Sequence, residues 1–285
     1  MRALRRARPD ASLEIAAQPR IGALLTALGV VDVHHSFDGL GLEALFSDGS
    51  ESRRPLPALD GVTRLVSWFG ARDPGFVERV RAQAADVIVA ASVPTDRTFV
   101  WRHLLATVGA AVAAADCAPV TVSAALREAG RLALARAGWT QGPLAIVHPG
   151  AGGVTKRWPA VGFARVAEHL MARPGLTVLL HEGPTDADAL VGVQALLPRR
   201  CGVLRQPTLP ELVGALHHVT VYVGNDSGVS HLAAAIGTRT LALFAAENAR
   251  WQSWSPAARA RIVTTAALGP GDAAGVLADV EQLLG

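Results

Sequence analysis

The sequence predicts an α/β protein built from two doubly wound domains. Three observations carry this. At 285 residues the chain exceeds the size of an ordinary single domain. Short runs of Val, Ile and Leu alternate with longer stretches of helical period, which is the pattern of βαβ units. Glycine-bearing or polar turns follow the apolar runs, where strand passes to helix.

The second half is the more regular. "PLAIVHPG" reads as a buried strand, "PAVGFARVAEHLMARPG" as an amphipathic helix stopped by Pro and Gly, and "LTVLLHEG" as the next strand. "DADALVGVQALLP" is then a helix and "CGVLRQ" a short strand. "TLPELVGALHHV" is a helix with Thr208 as N-cap and Glu211 three residues on. "TVYVGND" is a strand, "SGVSHLAAAIG" a helix stopped at Gly237, "RTLALFA" a strand, and "DAAGVLADVEQLLG" a closing helix. In the first half the strand candidates are "ASLEIAAQ", "VDVHHSFD", "GVTRLVSWFG" and "ADVIVAA", with "FVERVRAQ" and "WRHLLATVGAAVAAA" as helices. The expected organisation is a domain over 1–118, a linker over 119–142 around the helix "VSAALREAGRLALARAG", a domain over 143–268 and a closing helix over 269–285.

Composition narrows the function. Half the residues are hydrophobic and 18% charged, which is globular rather than disordered. The most apolar run, 104–115, is too short for the roughly 20 residues that span a bilayer. "MRALRRAR" is basic like the start of a signal peptide, but "PDASLEI" stands where an apolar segment belongs, so the reading is a cytoplasmic protein. Cys117 and Cys201 make no disulfide framework, and no Cys/His pair has zinc spacing. The net charge of +3 favours anionic ligands weakly, and no basic stripe is interleaved with aromatics for nucleic acid.

Two constellations carry chemistry. In an open parallel sheet ligands bind beyond the carboxyl ends of the strands, where helix N-termini point free N–H groups outward. After "TVYVG", the Ser227 and Gly228 amides open a helix with His231 one turn in, and Asp226 serves as a helix cap or a sugar-hydroxyl acceptor. A helix cap at Asn225 and Asp226 is the plainer reading of the same residues. "HPGAGGVTKRWP", 148–159, puts three glycines, Thr155, Lys156 and Arg157 into one loop. Its glycines let backbone approach a ligand, and its lysine offers a point charge for phosphate. No G-K-[ST] ending makes it a P-loop. "GPTDAD", 183–188, places carboxylates within reach of a ribose or merely at a helix N-terminus. His34–His35 and His217–His218 read as surface or helix-end residues.

With both motifs in hand the chain resembles glycosyltransferase family 9, the bacterial heptosyltransferase type. Pro149, Gly150, Ala151, Lys156, Arg157, Trp158 and Pro159 match the family's first loop; Asn225, Asp226, Ser227, Gly228, His231 and Leu232 match its last; "LFAAENARWQSWSP" echoes a nucleotide-base loop. The resemblance implies a GT-B fold, two Rossmann-like domains facing a cleft, with inverting transfer of heptose from ADP-heptose to a lipopolysaccharide core, without metal or cofactor. It implies donor contacts from Gly150, Ala151, Thr155, Lys156, Asp186, Asn225, Asp226, Ser227, Gly228 and His231, with Lys156 stabilising the leaving diphosphate. Nucleic acid is not an expected partner; peripheral contact with the inner membrane is.

Val229 stands where the family has Pro, and Ala245 where it has Gly. The family's first strand and the Asp acting as base have no counterpart here, so the N-terminal domain is expected to be incomplete. Asp38, Asp73 and Asp96 remain as substitutes for the base, and nothing in the sequence selects among them. The competing readings are a sugar-nucleotide-binding homologue impaired in catalysis and, last, a GT-B epimerase.

Overall fold

A computed structural model describes residues 1–46 and 56–285. The chain divides into two compact units, Met1–Asp116 and Cys117–Gly285.

The second unit is built on a six-stranded sheet. Its strands are β5 (Leu144–His148), β6 (Thr177–Glu182), β7 (Gly202–Arg205), β8 (Val221–Asn225), β9 (Thr240–Phe244) and β10 (Ala258–Ile262). All pair in parallel, in the order β10-β9-β8-β5-β6-β7. The chain runs outward from β5 through β6 to β7, then returns to the other side of β5 with β8. That reversal is the topological switch point of a doubly wound sheet. Every residue of β5, β8 and β9 is buried, as strands covered on both faces require. One core runs from Val147 and Val223 through Phe163 and Leu170 to Val276 and Val280.

The helices follow the sequence signals closely. α6 (Ala160–Met171) and α7 (Ala187–Gln194) cross between the first strands. α8 (Leu209–His217) opens with the full capping box, since Thr208 accepts from the Glu211 amide and Glu211 accepts from the Thr208 amide. α9 (Gly228–Ala235) ends at Gly237, whose φ of +90° only glycine adopts readily. α10 (Asp272–Leu284) closes the chain. The 119–142 stretch is more than a connector. Its helix α5 (Ala124–Arg136) lies against α8, so close at Gly130 that a Cβ there would stand 1.9 Å from the Gly214 carbonyl carbon. β10 is an addition to the expected strands: "ARARI" is an edge strand with no apolar run to announce it.

The first unit contains the four expected strands, β1 (Glu14–Ala17), β2 (Val33–Ser36), β3 (Arg64–Ser67) and β4 (Asp86–Val89). They form two separate parallel pairs, β1–β2 and β3–β4, rather than one sheet. In the doubly wound order a central strand joins two such pairs, and none of the described residues supplies it. Among the described residues one buried cluster gathers Leu45, Leu56, Phe76 and Val80, and the residues of β3 and β4 beside it are only half-buried. α1 (Arg2–Ala7) and its C-cap Arg8 reach both pairs: Arg5 binds Asp32, just before β2, at 2.7 Å, and Arg8 binds Asp86, at the start of β4, at 3.0 Å, while Arg6 binds Asp116. α2 (Pro19–Ala27), absent from the expectations, links β1 to β2. α3 (Pro74–Arg81) precedes β4, and α4 (Val100–Thr107) follows it. α4 stops well short of the expected 115, because the chain turns at Gly109 with φ +67°.

Candidate functional site

At the switch point the carboxyl ends of β5 and β8 lie side by side, and the two loops singled out from sequence meet there. Asn225, the last residue of β8, is fully buried and spends its amide on the other loop. Its Oδ1 accepts from the Trp158 amide at 2.8 Å, and its Nδ2 donates to the Pro149 carbonyl at 2.8 Å and that of Gly150 at 3.3 Å. One side chain thus pins both ends of the 149–158 loop. Trp158 is locked in turn, its ring filling the space where a Cβ on Gly162 would stand and meeting Phe163 edge-on.

Asp226 follows. Its backbone amide continues the ladder to Leu243, and its carboxylate is buried at the end of the strand. Lys156 donates to Oδ2 at 2.8 Å, and the His231 Nε2 stands 3.6 Å from Oδ1. Burial pushes the Asp226 carboxyl up, but hydrogen bonding from His231 and Lys156 outweighs it and holds the group below the usual carboxylate range. Lys156 remains 39% exposed, so its ammonium keeps an open side beside the carboxylate. The helix cap belongs to Ser227 rather than to Asp226: its hydroxyl accepts from the Ser230 amide at 3.3 Å. Gly228 is exposed at the mouth of α9, with open space above it, and first-turn amides carry no intrahelical partner. A cation, an imidazole and a helix N-terminus therefore face the same ground, which suits an anion.

The remaining expected residues separate. Gly150 and Ala151 are buried at the base of the loop, and Thr155 is exposed on its 3₁₀ turn. Asp186 is buried, accepts from the Gly183 amide at 3.2 Å, and lies beneath Gly150. Asp188 is exposed and binds Arg157 at 2.6 Å. Two residues escaped the sequence reading altogether. β5 and β6 pair in register, so His148 and His181 become cross-strand neighbours with their Nδ1 atoms 2.9 Å apart in the interior. The signal available was a histidine at the end of one apolar strand and next to the end of the other.

The three candidate bases lie in the first unit, each in a local setting of its own. Asp73 caps α3, accepting from the Phe76 amide at 2.9 Å. Hydrogen bonds from Thr98 hold the exposed Asp96 below the usual carboxylate range. Asp38 sits in the short turn Phe37–Gly39.

Fold and site together define a doubly wound α/β protein whose candidate ligand site lies at the switch point of its six-stranded sheet. The chain belongs to glycosyltransferase family 9 (heptosyltransferase), whose profile matches residues 63–269. Lipopolysaccharide heptosyltransferase 3 of Escherichia coli is 33% identical over 116 residues, 39% of this chain and 34% of that protein. Lipooligosaccharide heptosyltransferase 2 of Haemophilus influenzae is 34% identical over 97 residues, 32% of this chain and 28% of that protein. The matches thus span about a third of the length of these curated relatives. Among solved structures, a family 9 glycosyl transferase from Veillonella parvula superposes with a TM-score of 0.73 at 16% identity, covering 99% of this chain and 91% of that one. ADP-heptose lps heptosyltransferase II of Escherichia coli gives 0.67 at 21% identity over 99% and 92%. An Escherichia coli heptosyltransferase solved with ADP gives 0.64 at 14% identity over 99% and 94%. These likenesses establish the GT-B fold.

Proposed function

We propose that the second unit binds an ADP-sugar of the ADP-heptose class and that the protein transfers the sugar to a lipopolysaccharide core or similar glycan. The observation that carries this is Lys156 held 2.8 Å from Asp226 at the mouth of α9. There the ammonium neutralises the diphosphate that departs as the glycosidic bond forms, an electrostatic role in which a fixed charge costs no reorganisation. The α9 amides hold the phosphate oxygens, and Asp226 with His231 orients donor hydroxyls or phosphate. A lysine and a helix N-terminus suffice for that charge without a metal or cofactor, and direct displacement inverts the anomeric centre. The work is placed in the cytoplasm, with peripheral contact at the inner membrane where such acceptors lie; no helix among the described residues is long and apolar enough to cross a membrane.

One observation favours a second reading, a donor-binding homologue impaired in transfer. The first unit holds two unjoined strand pairs, and of its three candidate bases one is a helix cap and another a carboxylate held acidic. General-base catalysis is worth about 10²–10⁴-fold. Calorimetry with ADP, with and without EDTA, tests the shared part of both readings. Binding that survives EDTA and weakens by roughly 1.5–3 kcal/mol in Lys156→Ala, the scale of a charge-assisted hydrogen bond, is expected. Unchanged affinity in the folded variant removes Lys156 from the site. Turnover of ADP-heptose on a heptose-deficient lipopolysaccharide separates the two readings.

A further inference from the structure

We propose that Asp186 is a positioning residue: wedged under the 149–158 loop and backed by His148 and His181, it acts through Arg157 to set where Lys156 stands. The inference rests on the donor-site reading above for its effect on binding, but not for its structural part.

Between Pro149 and Trp158 the loop has only one 3₁₀ turn, Val154–Lys156, to give it shape. What fixes it comes from outside. Asn225 pins its ends, and beside the second of these, at Arg157, the neighbouring loop after β6 takes hold. The Arg157 guanidinium, next in chain to Lys156, reaches across to that loop. It donates to Asp188 at 2.6 Å and to the Thr185 carbonyl at 3.3 Å, and it lies 3.6 Å from Asp186 Oδ1. Asp186 is the buried end of this fork. Its carboxylate occupies the volume above both flanking glycines: a Cβ on Gly150 would stand 2.1 Å from its Cγ, and one on Gly183 2.5 Å from its Oδ2. Both positions are glycine because the carboxylate lies there.

A buried carboxylate is tolerable only when paired and hydrogen-bonded. Asp186 has the Gly183 amide, Arg157, and the His148 Nε2 at 3.8 Å. His148 is itself seated by His181, through its Nδ1 and its carbonyl oxygen. The chain of contact runs from the sheet interior through His181, His148, Asp186 and Arg157 to Lys156. None of its first three members is exposed to a ligand.

The test compares Asp186→Asn, which keeps the acceptor for Gly183 but removes the charge, with Arg157→Lys, which keeps the charge but loses the fork. Arg157→Lys leaves the buried carboxylate in place, so it serves should Asp186→Asn fail to fold. Amide hydrogen exchange over 150–157 in the unliganded protein is expected to rise about tenfold in each, while β8 and β9 stay protected. ADP affinity is expected to fall by about tenfold, roughly 1.4 kcal/mol. A purely structural role would lower thermal stability without loosening that segment selectively. Unchanged exchange and unchanged ADP affinity in a folded variant overturn the proposal. A loosened loop in a protein whose wild type binds no ADP supports the strut and strikes the donor-site reading instead.

Discussion

The two units are made of the same parts and differ in one. In the second, β5 is flanked by β6 and β8, every residue of it is buried, and its last residue begins the loop that carries Lys156. In the first, β1–β2 and β3–β4 stand as pairs of four-residue strands, and the residues of β3 and β4 are only half-buried. The difference teaches what a central strand does in this fold. It joins two half-sheets into one core, and it creates the switch point at which two loops can converge on one ligand.

That contrast sets the expected effects, largest first. Gly130→Ala should destabilise the second unit by roughly 3 kcal/mol or more, because α5 and α8 touch backbone to backbone there and cannot separate without opening the core. Denaturant unfolding reads it, and a loss under 1 kcal/mol would show the α5–α8 contact to be loose. Truncating Ile146 in β5 to Ala should cost about 2–5 kcal/mol, against roughly 1 kcal/mol for Val66→Ala in β3. Equal costs would mean that β3 is packed as tightly as β5.

A smaller effect concerns pH. Burial pushes the His148 and His181 imidazoles below their usual range, while Asp186 draws His148 back up, Arg157 lowers it, and His148 itself lowers His181. In the unfolded chain both titrate near 6.5, so between that value and their lowered native values the unfolded state binds more protons. Their contribution is therefore complete above pH about 6.5 and is lost as pH falls from there, with a slope of up to about 1.4 kcal/mol per pH unit for each. His181→Gln should flatten this acid limb in urea titrations between pH 5 and 7, values chosen to bracket that window. An unchanged limb would place the acid sensitivity elsewhere.

Much of the second unit is legible in the sequence because local and tertiary signals agree. The Thr208–Glu211 capping box, the stop at Gly237 and the runs of β5, β8 and β9 each say locally what the sheet requires globally. Where the signals part, reading fails. β10 is an arginine-bearing edge strand, and α2 hides behind a strand candidate although Pro19 opens it and Gly29, at φ +63°, ends it. The approach of Lys156 to Asp226 could be inferred from loops at one sheet edge, but the His148–His181 contact depends on the register of β5 against β6, which no local pattern encodes. The burial of Asp186 and Asn225 was hidden likewise, since the sequence displays a carboxylate and an amide in polar turns without saying that each faces inward.

The proposed ligand site belongs to the switch point of the second unit alone. Hydrogen exchange of the 285-residue chain, followed with and without ADP, tests it most directly. Slowed exchange over 150–158 and 226–232, with β1 to β4 unchanged, is the expected result. Protection of the first unit's strands, with those two segments unaffected, would contradict it.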